Sequence, residues 1–110
     1  MRFALPILFV LSAFVFADEP AKKRPSISDQ ATGMTVAVQD DDRTLLASDS
    51  KTGKAIWKTN VIDAAGKPNA GQPVIRDLSI KDGVLTAIYG KHSFAKFDLK
   101  SGRLMEKGSD

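Results

Sequence analysis

Few side chains in this 110-residue chain belong to the types that do chemistry. Histidine occurs once, as His92, with Ser93 beside it, and there is no cysteine. A histidine base needs a nucleophile and an orienting partner. Neighbours on a turn seldom face each other productively, so His92 reads as an exposed turn residue. One histidine without cysteine cannot make a typical zinc site. Asp40, Asp41 and Asp42 carry oxygens of the kind calcium takes, about six to eight at a time. Three adjacent carboxylates on a tight turn diverge, and no glycine-spaced loop with a distal glutamate follows, so a solvated turn is expected. Gly66, Gly71 and Gly83 are scattered through loop and turn and form no phosphate cradle. No catalytic residue, metal ligand or cofactor emerges, and a non-enzymatic role is expected. What remains is aromatic: Trp57, Tyr89, Phe94 and Phe97. Trp57 and Tyr89 are the candidate binding residues. Phe94 and Phe97 point to opposite faces of an alternating strand, so only one of them need be core.

The elements that position these residues are bounded first by targeting and charge. Arg2, the apolar run from Leu5 to Phe16 and the small residue Ala17 before Asp18 make residues 1–17 read as a secretory signal peptide. That predicts an exported protein, periplasmic or extracellular, with an uncleaved anchor as the alternative. The run is short against the roughly 20 residues of a membrane helix, and no second apolar stretch follows, so no stable span is expected after cleavage. The absence of cysteine excludes disulfides and a lipid-modified cysteine. A formal net charge of +3 is too small to argue for nucleic acid.

Residues 18–32, charged and proline-bearing at their start, read as a flexible leader. Residues 33–107 read as one all-β domain, and residues 108–110 as a polar tail. Short apolar runs fall at 35–38, 44–48, 55–60, 74–81, 84–89, 94–98 and 103–106. Turn chemistry separates them every 8–12 residues or so, which predicts an antiparallel meander of about six to eight short strands. Asp82-Gly83 is a strong hairpin signal, because both residues tolerate the positive φ that a strand-matched turn requires. Residues 64–72 hold Gly66, Pro68, Asn69 and Gly71 and read as a loop. Ile62 to Ala65 allows one helical turn at most.

A degenerate repeat runs through this meander. Asp49 and Gly53 recur 49 residues later as Asp98 and Gly102, a spacing within the range of about 20–50 residues typical of repeat architectures. The repeats cover about 33–60 and 74–107. An aspartate after a strand can accept backbone N–H groups across the next turn. The first copy reads Ala47-x-Asp49-x-x-Thr52-Gly53-Lys54-x-x-Trp57, and the second Lys96-x-Asp98-x-x-Ser101-Gly102-Arg103, with Glu106 at the place of Trp57. This pattern resembles the blade motif of pyrroloquinoline-quinone-type (quinoprotein-like) β-propeller repeats. The resemblance implies two blade-like units, with Trp57 docked between adjacent sheets; the residues alone equally allow Trp57 as the core anchor of one small sheet. Propellers use about 4–8 blades, so the resemblance allows a ring of several copies, two units folded on each other, or a remnant of a longer ancestor. The functional expectation is an exported β-repeat module that binds a protein partner or its own copies. The alternative is a small-ligand or carbohydrate binder using Trp57 and Tyr89.

Overall fold

Alternation of apolar and polar residues makes strands here, and the turn residues between them fix where each strand stops. In a computed structural model, residues 24–109 are described; the expected signal peptide, the start of the leader and Asp110 lie outside them. The chain forms β1 (Ser26–Asp29), β2 (Met34–Val38), β3 (Thr44–Asp49), β4 (Ala55–Asn60), α1 (Val61–Ala65), β5 (Ile75–Lys81), β6 (Val84–Tyr89), β7 (Ser93–Asp98) and β8 (Leu104–Ser109). The fold is all-β, as the alternation predicts. The strands make two antiparallel four-stranded sheets, ordered β1-β2-β3-β4 and β5-β6-β7-β8. Every strand pairs only with its neighbours in sequence. Neither sheet closes into a barrel, and the described residues form no propeller.

Two boundaries differ from the sequence expectation. Ser26–Asp29 falls within the expected leader yet pairs with β2 in the register Ile27↔Val36. Only Ile27 packs toward the core from this strand, so the segment carries almost no apolar signal of its own. β8 runs on to Ser109, past the expected start of the tail. Gly108 permits this, since a Cβ there would lie 2.9 Å from the Phe94 ring.

The turns repeat one device. Asp49 accepts the N–H groups of Lys51 and Thr52 at 2.8 and 3.2 Å. Asp98 accepts the N–H and hydroxyl of Ser101 at 3.1 and 2.7 Å. Asp41 likewise takes Arg43 and Thr44 N–H, both at 2.9 Å. The short side chain bonds its own backbone and closes the turn. Gly53 and Gly102 adopt φ of 78° and 77°, a region that L side chains rarely enter. At the hairpin, Asp82 and Gly83 both have positive φ, 52° and 78°, the conformation expected from Asp-Gly.

α1 bridges the sheets. The Asn60 side chain caps it by accepting the Asp63 N–H at 3.0 Å, and Val61 and Ala65 are its buried residues. One continuous core lies between the sheets. Met34, Val36, Val38, Leu45 and Ala47 enter from the first sheet, and Leu85, Ala87, Tyr89, Ala95 and Phe97 from the second.

The strand registers show how the sheets relate. β3 and β7, and likewise β4 and β8, correspond at an offset of 49, while β2 and β6 correspond at 50. The backbone agrees: Ser50 N–H bonds Gly33 carbonyl at 2.8 Å, and Leu99 N–H bonds Gly83 carbonyl at 3.0 Å. Even the β-bulges coincide, at Ala47/Ser48 and Lys96/Phe97. Counted between equivalent positions, the stretch from Val38 to Thr44 is one residue longer than that from Ile88 to Ser93, which accounts for the change of offset. With this correspondence, the front of the first sheet packs on the rear of the second. The equivalents of buried Met34, Val36 and Val38 are Val84, Thr86 and Ile88, which lie on the far side of the second sheet and are only partly buried.

Candidate functional site

Trp57 joins the sheets. It stands opposite Ala47 on β4, on the core-facing side. Its indole N–H donates to the Leu99 carbonyl at 2.6 Å. The ring lies directly against Gly102, where an added Cβ would sit 2.5 Å from the indole Cδ2. Thr59 adds a hydroxyl bond to the Gly102 carbonyl at 3.2 Å. Gly102 thus serves both the turn and the close approach of the ring. Tyr89 is 3% exposed, and its hydroxyl donates to the Gly66 carbonyl at 3.2 Å. Burial pushes its phenol above the ordinary pKa. Both expected binding residues are therefore engaged within the fold. A sugar ring would need an open aromatic face, and buried Tyr89 presents none.

Of the repeat residues, Asp49 and Asp98 end β3 and β7 while Gly53 and Gly102 lie in the turns that follow, and all four serve the backbone. Hydrogen bonds hold two turn carboxyls below their ordinary pKa of 3.8: that from the Thr44 hydroxyl to Asp41 and that from the Ser101 hydroxyl to Asp98. A folded pKa below the unfolded one stabilises the native state above the unfolded value, and this contribution is lost as pH falls through the folded value. The urea midpoint should therefore fall below about pH 4. Asp98→Asn, which keeps an acceptor but does not titrate, should flatten part of that fall in a pH series of urea melts. An unchanged slope would remove Asp98 from the effect.

The polar candidates do not converge. Ser93 is buried, and its hydroxyl accepts the Asn69 N–H at 3.3 Å, while His92 is exposed on the turn. Asp42 pairs with Arg24 at 3.0 Å, whereas Asp41 bonds its own turn. Among the described residues, no group of three or more His, Cys, Asp or Glu side chains is placed to hold a metal.

An open groove runs across the front of the second sheet. Ser79, Lys81, Asp82, Val84, Thr86, Lys96, Met105 and Glu106 line this groove of about 480 Å³. Toward the β6–β7 turn it meets a hollow of about 250 Å³ bordered by Arg76, Ile88, Lys91, His92 and Phe94. Met105 is 54% exposed. Phe97 fills the core, while Phe94 lies on this outer face with the Lys96 ammonium 5.9 Å from its ring centroid, in the range of a cation–π contact. The opposite facing of the two phenylalanines was legible from alternation. Val84, Ile88 and Met105 were not singled out in the sequence, and only the offset of 50 on β6 would have aligned Val84 and Ile88 with the docking residues of the first sheet.

No family model matches this chain, and no curated protein matches it. Among solved structures, a crystal structure of the computationally designed Ika8 protein is similar to 76% of this chain, with 11% identity and a TM-score of 0.34. This chain spans about a third of that one, 35% of its length.

Proposed function

We propose that this chain is an exported, non-enzymatic β-repeat module that holds a protein partner on the front of its second sheet. The two sheets are read as a pair of quinoprotein-type repeat units, on the spacing of Asp49, Gly53 and Trp57 and of Asp98 and Gly102. One observation carries the binding role: an open groove with apolar residues on its floor and a margin of mixed charge in which cations outnumber Asp82 and Glu106. Val84, Ile88, Phe94 and Met105 supply the apolar surface; Lys81, Lys91, Lys96 and Arg76 supply positive charge, against the carboxylates of Asp82 and Glu106. Exposed apolar area rimmed by polar groups marks interaction sites. The surface fits an extended partner segment that alternates apolar and acidic residues. Burial of the apolar side chains would supply affinity, and the lysines orientation and encounter rate.

The test is site-specific photo-crosslinking in the cells that make the protein. A benzophenone side chain at Met105 should give a discrete protein adduct. The same group at Ile56, which is 48% exposed on the first sheet, should not. Lys81→Glu with Lys96→Glu should cut the Met105 adduct at least about tenfold, as expected when charges on a complementary surface are reversed. Equal labelling from both positions, or none from Met105, would remove this face as the docking surface.

A further inference from the structure

The two outer faces can be compared, residue by residue, with the two faces that pack together inside the chain. On the front of the first sheet, Ala47 is fully buried and Trp57 anchors the second sheet. On the front of the second sheet, the equivalent positions carry Lys96 and Glu106, directly opposite each other across β7 and β8. On the rear of the second sheet, Leu85, Phe97 and Leu99 are fully buried. The first sheet carries Thr35, Ser48 and Ser50 at the corresponding positions. Thr35 shares hydroxyl bonds with Ser28 at 2.9 Å and Ser50 at 2.6 Å, so this rear face is polar and already hydrogen-bonded.

A second copy stacked as the two sheets stack would place its rear against this front. The Lys96 ammonium would then occupy the place of a buried methyl group. The Glu106 carboxylate would replace an indole that donates a hydrogen bond and fills a large volume. Facing them would be hydroxyls instead of leucine and phenylalanine. Burying two opposed charges costs desolvation that their mutual attraction repays only in good geometry, and the facing Thr35, Ser48 and Ser50 offer no apolar area to offset it. A polar outer face such as the rear of the first sheet ends a stack of repeats.

We infer that Lys96 and Glu106 on one outer face, with Ser48 and Ser50 on the other, prevent the chain from stacking head to tail on a second copy of itself. The apolar floor beside Lys96 is then left for a partner of different shape and charge. This inference concerns copies of the chain and stands whether or not the proposed partner is found.

Two half-variants of the full chain test it. The first carries Lys96→Ala and Glu106→Trp, and the second Ser48→Phe and Ser50→Leu. Circular dichroism establishes that each is folded, and analytical ultracentrifugation reads the mass. The wild-type chain and each half-variant alone should sediment as single chains, and their mixture should give a discrete one-to-one complex. Folded half-variants that stay single on mixing would overturn the inference. So would a wild-type assembly that Ile88→Asp dissolves, and this second measurement holds even if a half-variant fails to fold.

Discussion

Trp57→Ala is expected to lower the unfolding free energy by about 3 kcal/mol, the lower end of the range for deleting a large aromatic, because the indole is partly buried. The indole is the principal side chain of the first sheet lodged on the β7–β8 turn, and its loss leaves the Leu99 carbonyl without the donor now at 2.6 Å. An unsatisfied buried acceptor adds about 1–3 kcal/mol, within a total stability of about 5–15 kcal/mol for a domain. The variant should be largely unfolded or melt far earlier in urea by circular dichroism. A loss under about 1 kcal/mol would mean that the indole contributes little to joining the sheets.

Gly102→Ala should cost about 2–4 kcal/mol, from two separable causes. The first is backbone strain, because φ is 77°; a left-handed conformation costs a non-glycine residue about 1–2 kcal/mol. The second is overlap of the new methyl group with Trp57 at 2.5 Å. The protein contains its own control. Gly53 has a φ of 78°, and nothing lies within 4 Å of an added Cβ. Gly53→Ala should thus show the strain alone, about 1–2 kcal/mol. In a Trp57→Ala background, Gly102→Ala should fall to the same figure, since residues in contact are not additive. Equal costs for the two glycine variants in the wild-type background would show that the ring yields without penalty.

Much of this fold is written locally. Alternation over Val84–Tyr89 and Ser93–Asp98, the Asp-Gly hairpin, and the paired Asp and Gly of each repeat all act within a few residues, so the sequence carries them directly. β1 was illegible because its only core contribution is Ile27, and its strand form comes from pairing with β2. The end of β8 was illegible because Gly108 and Ser109 have little strand preference of their own. The face of the second sheet was hidden for a different reason. A repeat read from Asp49 and Asp98 gives an offset of 49, which on β6 aligns buried Val36 with buried Leu85 and conceals the outer face. The extra residue between Val38 and Thr44 moves the true equivalent to Thr86. Because side chains alternate with a period of two, this one-residue slip exchanges inside for outside.

The order of strands also bears on how the chain assembles in time. Each hairpin closes a short loop, and every ladder joins sequence neighbours, so either sheet can form without waiting for the other. Contacts of this kind are reached quickly. The bond between Trp57 and Leu99 spans 42 residues and carries the larger loop-closure cost. Joining the two sheets is then the slow event. The residues that decide whether the halves meet, Trp57 and Gly102, would set the rate at which the molecule comes apart more than the rate at which its sheets appear.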